Sequence, residues 1–239
     1  MDHVHITLQG KGGVGKSFIS SLLVQYLRSI GLDVTPVDTD PVNATLAGYK
    51  AFNTQRLELM DGGSLVERNF DGLIEQVVEQ QGTFVIDNGA SSFIPLSYYI
   101  NENDVFSIIG DNNKQVVIHT VVTGGQAMRD TLGGLATILE QMPTNVRLIV
   151  WLNEFFGDIE AEGKEFEEMK IYLNNKDRIH GIVRIARQTG STFGEDVKLM
   201  LDRKLTFDEV NQSDDFKLMS KSRLAKVKTA IYQQLAVVL

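Results

Sequence analysis

Residues Gly10–Ser17 read GKGGVGKS and match the phosphate-binding pattern G-x-x-x-x-G-K-[ST]. Glycines in such a loop adopt left-handed turns without a side-chain penalty, so their backbone N–H groups can converge on an anion. In this pattern Lys16 reaches the β- and γ-phosphates of a nucleotide, and the Ser17 hydroxyl binds Mg²⁺. The stretch therefore predicts a loop that binds a nucleoside phosphate.

The residues on either side predict a strand before this loop and a helix after it. His3–Gln9 is rich in β-forming residues and places apolar side chains on one face. Lys16–Ile30 carries apolar side chains at helical spacing, and Gly31 ends the predicted helix. A strand, a glycine loop and a helix in this order are the context that the pattern requires. We therefore prefer a nucleotide site to a chance match on a glycine turn.

The composition is that of a water-soluble α/β protein. The chain has 239 residues, of which 43% are hydrophobic, and a length of this size predicts one domain over residues 1–239. It contains no apolar run of the length, about 18 residues, that a membrane-spanning helix needs. It also contains no cysteine, which excludes cysteine-bound zinc, iron–sulfur clusters and thiol catalysis. We expect a cytoplasmic protein, with association with the nucleoid or a membrane as the alternatives.

Predicted strands and helices alternate along the chain, which favours a doubly wound, mostly parallel sheet with helices on both faces. The predicted strands are Val34–Val37, a short one around Leu57 and Leu59, Thr83–Ile86, Gln115–Val122, Val146–Leu152 and Arg178–Ile185. The predicted helices, besides the first, cover 70–81, Gln126–Met142, 193–202 and the C-terminus to Leu239, with an acidic amphipathic helix over Asp158–Tyr172. Asp61–Gly63 is a predicted turn. Ligands of such folds bind at the carboxyl ends of the strands.

Carboxylates follow two of the predicted strands. Asp38 and Asp40 come directly after Val34–Val37, and Asp87 follows Thr83–Ile86. Carboxylates at this edge lie where Mg²⁺ and an attacking water must be held, and an apolar strand ending in Asp is typical of the second half of a P-loop enzyme. The polar loop Asn88–Ser92 then lies where a γ-phosphate can be sensed. These residues predict a Mg²⁺-dependent site for nucleotide hydrolysis.

The second lysine of the loop, Lys11, narrows the assignment. KGGVGKS resembles the deviant Walker A motif of the ParA/MinD family of ATPases, in which this lysine contacts the phosphates of a second subunit. The resemblance implies that Lys11, Lys16 and Asp40 drive hydrolysis, with Asp40 orienting the water. It implies Mg²⁺ binding by Ser17, Asp38 and Asp87. The ATP-binding residues so implied are Gly12, Gly13, Val14, Gly15, Lys16, Ser17, Phe18 and Asn153.

Longer strings are similar to the TraL and StbB proteins of conjugative plasmids, a group within this family. The strings are VIDNGASSFIPL (Val85–Leu96), GGQAMRDT (Gly124–Thr131), WLNEFFG (Trp151–Gly157) and TFGEDVKLML with LTFDE (within Thr192–Glu209). The resemblance implies a slow ATPase that forms a homodimer on binding ATP and is stimulated by plasmid-encoded partner proteins. It implies a role in conjugative transfer, segregation or intracellular positioning. The chain departs from common partition ATPases at Val42–Thr45, where they carry a glutamine and a longer loop.

Two other functions remain open from the residues alone. One is an ATP-dependent metabolic enzyme of the same superfamily that resembles dethiobiotin synthetase, which would need a pocket for a second substrate. The other is a nucleotide-gated scaffold that does not hydrolyse ATP. The absence of an Asn-Lys-x-Asp signature favours ATP over GTP in each case.

The C-terminal segment differs in charge from the rest of the chain. Residues 217–239 contain five basic residues and no acid, whereas the chain as a whole has a net charge of −8. The predicted basic amphipathic helix over 215–239 either packs on the sheet with a solvated basic face or binds DNA non-specifically or a membrane surface. His3 and His5 are predicted to be structural, because no acidic residue lies near them as a metal site would need. His119 lies in a predicted buried strand, which favours a hydrogen-bonded core histidine over a catalytic one.

Overall fold

A computed structural model of the chain describes residues 2–61, 64–144, 146–188 and 190–239. Its strands are β1 (Asp2–Thr7), β2 (Val34–Asp38), β3 (Gln55–Arg56), β4 (Met60–Asp61), β5 (Ser64–Leu65), β6 (Thr83–Asp87), β7 (Lys114–Thr123), β8 (Arg147–Asn153), β9 (Glu160–Ala161), β10 (Lys164–Glu165) and β11 (Ile179–Ile185). Its α-helices are α1 (Lys16–Ser29), α2 (Glu67–Glu79), α3 (Phe93–Glu102), α4 (Val105–Asp111), α5 (Met128–Gln141), α6 (Lys170–Leu173), α7 (Glu195–Asp202), α8 (Phe207–Gln212) and α9 (Leu218–Val238). A π-helical turn at Gly190–Gly194 precedes α7.

Seven strands form one parallel sheet in the order β11-β8-β7-β1-β6-β2-β3. β1 lies at the centre, between β6 and β7, and the chain crosses from one side of it to the other between those two strands. Such a change of winding direction opens a crevice at the carboxyl end of the sheet, where ligands of open α/β folds bind. The loop after β1 opens into this crevice. The predicted doubly wound fold is confirmed.

Both faces of the sheet are covered by helices, because alternate residues of the buried strands are apolar on both sides. On β8, Leu148, Val150 and Leu152 face one core, and Ile149 and Trp151 face the other. Helices α2, α3, α4 and α5 contribute to the first core, and α1, α7, α8 and α9 to the second. These two apolar layers hold the strand ends, and thus the site, on a rigid base.

Two sequence predictions outside the site are wrong in detail, and a third is not tested. The acidic stretch is not one amphipathic helix: β9 and β10 form a hairpin, followed by a short 3-10 turn and α6. Glu162 and Gly163 between these strands have φ values of 55° and 74°, the left-handed pair that a two-residue hairpin turn requires. Leu57 and Leu59 lie outside β3, which ends at Arg56. Of the turn predicted at Asp61–Gly63, Gly62 and Gly63 lie outside the described residues.

Helices α3 and α4 were not predicted. Phe93, Leu96 and Ile100 are buried on one face of α3, at helical spacing. These two helices lie directly after the polar loop Asn88–Ser92, so they connect that loop to the first core. Across the described ranges, no helix has the length and apolar character needed to cross a bilayer.

The C-terminal helix α9 packs on the sheet through Leu224, Val227, Ile231 and Leu235, which are buried. Several of its cations are bonded within the chain. Arg223 Nε lies 2.5 Å from Asp196 Oδ2, Lys228 Nζ lies 2.8 Å from Asp208 Oδ1, and Lys221 Nζ donates to the Asn211 carbonyl. These bonds reduce the positive charge that α9 presents outward.

Candidate nucleotide-binding site

The loop at Gly10–Ser17 has the backbone conformation that its glycines allow. Gly13 and Gly15 have φ values of 74° and 105°, which other residues rarely adopt. A Cβ atom at Gly15 would also lie 2.8 Å from Asn153 Nδ2. Helix α1 begins at Lys16, so its unpaired N–H groups and the positive end of its dipole point to the loop. This geometry suits an anion such as a phosphate.

The two lysines of the loop lie in different surroundings. Lys16 is 7% exposed, lines the cleft, and donates from Nζ to the Lys11 carbonyl at 3.0 Å. Burial lowers the pKa of Lys16, and the charges of Asp87 and Asp40 oppose that shift. The Lys11 side chain is 44% exposed, and its Nζ pairs with Asp130 of α5 at 2.7 Å. Lys16 therefore lies in the cleft, whereas Lys11 is paired with Asp130 and does not line it.

Asp38 and Asp87 lie side by side, since they are register partners at the ends of β2 and β6. Asp87 is fully buried, and burial raises its pKa to about 7. The repulsion of Asp38 adds to this rise, whereas the Ser17 and Ser20 hydroxyls and the Lys16 ammonium oppose it. Ser20 Oγ donates to Asp87 Oδ1 at 3.0 Å, but Asp87 Oδ2 has no hydrogen-bond partner among the described residues.

These groups fit a Mg²⁺ ion. A buried carboxylate oxygen without a partner is costly unless a cation or donor completes it, and Mg²⁺ prefers such oxygen ligands. Asp87 and the Ser17 hydroxyl are therefore the groups that would hold the metal. The carboxylate of Asp38 is already bonded, since Oδ1 accepts from the Asp40 N–H and Oδ2 from the Ala47 N–H. Asp38 thus fixes the segment that follows β2.

Asp40 also lines the cleft. Its Oδ1 accepts from the N–H groups of Val42 and Asn43 at 2.9 and 3.2 Å, which fixes the direction of the carboxylate. A Cβ atom on Gly89 would lie 3.0 Å from the same oxygen, so only glycine lets Asp40 lie this close to the polar loop. The structure thus brings Asp40, Lys16 and Ser17 together around one cleft.

The cleft has a volume of about 640 Å³, enough for a nucleotide's phosphates and sugar. The site residues predicted from the sequence that line this cleft are Gly12, Gly13, Gly15, Lys16, Ser17, Phe18 and Asp40. Val14 is different, because its side chain is buried in the second core and its carbonyl accepts a hydrogen bond from Asn153. An adjoining apolar slot of about 200 Å³ contains Phe18, Asn153, Phe155 and Phe156. Its apolar lining and its position beside the loop are compatible with a purine base.

Asn153 lies at the end of β8, as predicted, but both ends of its amide are bonded within the chain. Nδ2 donates to the Val14 carbonyl at 2.9 Å, and Oδ1 accepts from the Phe155 N–H at 3.2 Å. The Thr123 hydroxyl donates to the Asn153 carbonyl at 2.8 Å. Asn153 therefore joins the glycine loop to the slot, and contact with a base remains a prediction.

Sequence reasoning missed two buried polar residues of the site. Tyr49 lines the cleft and is 3% exposed, and burial raises the pKa of its phenol while the Ser21 hydroxyl opposes the rise. Gln9 is fully buried directly before the loop and bonds three backbone groups. For Gln9 the sequence carried no separate signal, since it continues the alternating polar positions His3, His5 and Thr7. Tyr49 lies in a segment without periodicity.

The histidines lie away from the cleft. His5 Nδ1 and His119 Nε2 are 2.9 Å apart, and the Trp151 indole donates to His119 Nδ1 at 3.0 Å. Because Trp151 donates, His119 Nε2 carries the proton and donates to His5. Burial lowers the pKa of His5 to about 3 and that of His119 well below its usual value. The hydrogen bonds of His5 and His119 confirm their predicted structural role. Within the described ranges, no group of three or more histidine, aspartate or glutamate side chains is placed to hold a metal ion.

Comparison with known proteins agrees with this geometry. The family model described as the CobQ/CobB/MinD/ParA nucleotide binding domain matches residues 6–199. Protein TraL of Escherichia coli is 46% identical over 235 residues, which are 98% of each chain. The MinD cell division protein of Aquifex aeolicus aligns with a TM-score of 0.55 at 16% identity, covering 98% of this chain and 97% of that one. A plasmid partition protein of Borrelia burgdorferi B31, solved with AMPPNP, aligns over 100% of both chains with a TM-score of 0.50 at 13% identity.

Proposed function

The chain belongs to the CobQ/CobB/MinD/ParA family of nucleotide-binding domains, and from this premise we propose that it is an ATP-dependent dimerising switch. It binds MgATP, forms a homodimer across the bound nucleotides, and hydrolyses ATP to ADP and phosphate. Hydrolysis is slow until a plasmid-encoded partner protein stimulates it. The function served is conjugative transfer, segregation or positioning of a plasmid. Its relation to the TraL proteins over nearly the full length supports a plasmid role.

The placement of the two lysines is the observation that carries this proposal. Lys16 is buried beside Asp87 and Asp40, whereas Lys11 extends from the same loop to the outside. A cation that completes a phosphoryl-transfer site from a second subunit is worth about 10³–10⁵ in rate. Lys11 can act in this way only after leaving Asp130, so hydrolysis depends on dimerisation.

The other groups of the cleft have complementary roles in this proposal. Lys16 and the loop N–H groups bind the phosphates. Ser17 and Asp87 would hold Mg²⁺, which would supply positive charge against the charge that develops on the transferred group. Asp38 supports this arrangement through the segment after β2. The Asp40 carboxylate accepts a hydrogen bond from the attacking water and so orients it. The carboxylate itself is fixed by two backbone N–H groups. Positioning of this kind supplies most of the catalysis of phosphoryl transfer.

The composition of the cleft favours this switch over a metabolic ligase. Among the described residues that line it, the charged ones are Lys16 and Asp40, both needed for the nucleotide. The other lining residues outside the glycine loop and α1 are uncharged: Val42, Asn43, Thr45, Tyr49, Ala90, Ser91 and Leu201. A small charged second substrate would find no free countercharge there. Measurement of ATPase activity with added DNA, plasmid proteins or metabolites separates the two functions, since only a metabolite should stimulate a ligase.

The decisive experiment is size-exclusion chromatography with ATP, with ADP and without nucleotide, on the wild-type chain and on Lys11→Ala. We expect the wild-type chain to elute as a dimer with ATP but not with ADP or without nucleotide. We expect Lys11→Ala to remain a monomer under all three conditions. Lys170→Ala, at an exposed lysine of α6, is the matched control and should dimerise normally. An ATP-dependent dimer that is unaltered in Lys11→Ala would refute the shared site.

The scaffold alternative is tested with Asp40→Ala. A switch should be trapped as an ATP-bound dimer by this substitution, because the attacking water is no longer oriented. A scaffold that never hydrolyses ATP should show no change in phosphate release. Phosphate release is measured with a phosphate-binding reporter for the wild type and for Asp40→Ala, and the wild-type rate is the reference.

For the surface on which the dimer acts, α9 is more consistent with a structural role than with DNA or membrane binding. Arg223 and Lys228 pair with acids of α7 and α8, and Lys221 caps a carbonyl. Lys217 and Lys226 remain as the exposed cations to test. Replacing both with alanine should leave binding to DNA and to anionic vesicles unchanged; a clear loss of either would assign that surface to α9.

A further inference from the structure

We propose that Gln9 is a positioning residue that fixes the backbone of Lys11 to helix α5. This inference rests on the proposed function, because Lys11 is its point of action. Gln9 is the residue directly before the glycine loop, and it is fully buried. No sequence motif assigns a role to it.

The orientation of the Gln9 amide is determined by its neighbours. Nε2 donates to the Val121 carbonyl of β7 at 2.9 Å and to the Thr131 carbonyl of α5 at 3.1 Å. A carboxamide has only two N–H hydrogens, so both are used. Oε1 must then face the loop, where it accepts from the Lys11 N–H at 3.4 Å.

Residue 11 is thereby bonded at three points in the nucleotide-free chain. Its N–H is bonded to Gln9, its carbonyl accepts from Lys16, and its ammonium pairs with Asp130. The last two bonds use the ammonium groups of Lys16 and Lys11, which in the proposed switch must turn to ATP and to the nucleotide of a second subunit. The bond to Gln9 involves neither, so it is the one that persists when the lysines change partners.

The packing around the amide shows that its position is tightly set. A Cβ atom at Gly134 of α5 would lie 2.0 Å from Gln9 Oε1, so only glycine leaves room for it. The neighbouring Gly133 has open space where its Cβ would be. The two adjacent glycines of α5 therefore provide a matched pair of substitutions.

The test compares Gly134→Ala with Gly133→Ala. Alanine favours a helix interior by up to about 1 kcal/mol over glycine, so both variants should fold. Only Gly134→Ala displaces the Gln9 amide. We expect the Lys11 amide proton, followed by NMR in the nucleotide-free chain, to exchange at least about tenfold faster in Gly134→Ala, since its bond is lost. Gly133→Ala should match the wild type; equal exchange in both variants would overturn the proposal.

The effect on function is measured with Gln9→Met, which keeps the length of the side chain and removes the amide. Since a displacement of 1 Å can cost about a hundredfold in rate, we expect kcat for ATP hydrolysis to fall about tenfold, with the ATP affinity within about threefold. Gln234→Met is the control, because Gln234 also bonds backbone groups through its amide, but those of Arg184 on β11 and not those of the loop. A fall in ATP affinity with kcat unchanged would contradict the positioning of Lys11.

A double-mutant cycle then distinguishes positioning from a general structural role. In a Lys11→Ala background, Gln9→Met should change kcat by less than about twofold, because the group that it positions is absent. An undiminished tenfold loss there would show that Gln9 does not act through Lys11. If the wild-type chain hydrolyses no ATP, the proposed function fails, and the exchange of the Lys11 amide alone decides the role of Gln9.

Discussion

Replacing Asp87 with asparagine should change how the stability of the metal-free chain depends on pH. The pKa of Asp87 is raised from 3.8 to about 7 in the folded chain, so the folded state binds the proton more tightly than the unfolded state does. The stability gained from this proton is fully present below pH 3.8 and is lost as the pH rises through about 7. Between pH 5 and pH 8 the loss is about 2–3 kcal/mol, at about 1.4 kcal/mol per pKa unit.

In Asp87→Asn this loss is absent, because the asparagine does not titrate. The bond from Ser20 to Oδ1 can be kept, whereas the amide nitrogen takes the place of Oδ2, which has no partner. An unsatisfied amide costs about 1–3 kcal/mol, but this cost is the same at every pH. The quantity to compare is therefore the change with pH and not the stability at one pH.

The assay is urea unfolding at pH 5, 6, 7 and 8 with EDTA and without nucleotide. We expect the wild type to lose about 2–3 kcal/mol relative to the variant over this range, with equal m-values. Asp111→Asn, at an exposed residue at the end of α4, should follow the wild type. Parallel stability curves for wild type and Asp87→Asn would refute the assignment of a protonated, buried carboxyl.

Two further predictions concern the loop and the buried histidines. Gly15→Ala should weaken the binding of MgATP at least about tenfold by calorimetry, because the new Cβ lies 2.8 Å from Asn153 Nδ2 in a backbone conformation that costs alanine about 1–3 kcal/mol; unchanged affinity would contradict it. The lowered pKa values of His5 and His119 mean that the unfolded chain takes up protons first as the pH falls below 6.5. In the Asp87→Asn background, the free energy of unfolding should fall by about 2 kcal/mol between pH 6.5 and pH 5 because of His5, and the lowered pKa of His119 should increase this fall. A flat urea-unfolding profile over that range would show that the two rings are not held neutral.

The glycine loop and the carboxylates that face it could be predicted because the information is local. A pattern of eight residues specifies the loop, and strand ends in a parallel sheet meet at one edge. Asp38 and Asp87 therefore lie side by side as expected. The role of Asp38 was less predictable, because its two bonds depend on the path of the segment that ends at Ala47.

Contacts between distant parts of the chain were beyond the sequence patterns. The bond from Asn153 to the Val14 carbonyl joins residues 139 positions apart, and it forms only because β8 and the loop end at the same edge of the sheet. The bonds of Gln9 need β7 and α5 to be in place. Helix α3, by contrast, could have been found, since Phe93, Leu96 and Ile100 already have helical spacing.

The two lysines of the glycine loop also influence which anions the site accepts. A loop with two free ammonium groups would retain any small oxyanion, including the inorganic phosphate that hydrolysis releases. Here Lys16 is bonded to a carbonyl and Lys11 to a carboxylate, so an incoming anion must displace these internal acceptors. A single phosphate can displace one of them, whereas a triphosphate contacts the whole loop and offsets the loss of both. In the proposed switch these internal bonds would therefore compete with released phosphate, and Lys11 would leave Asp130 only when a second subunit presents a nucleotide.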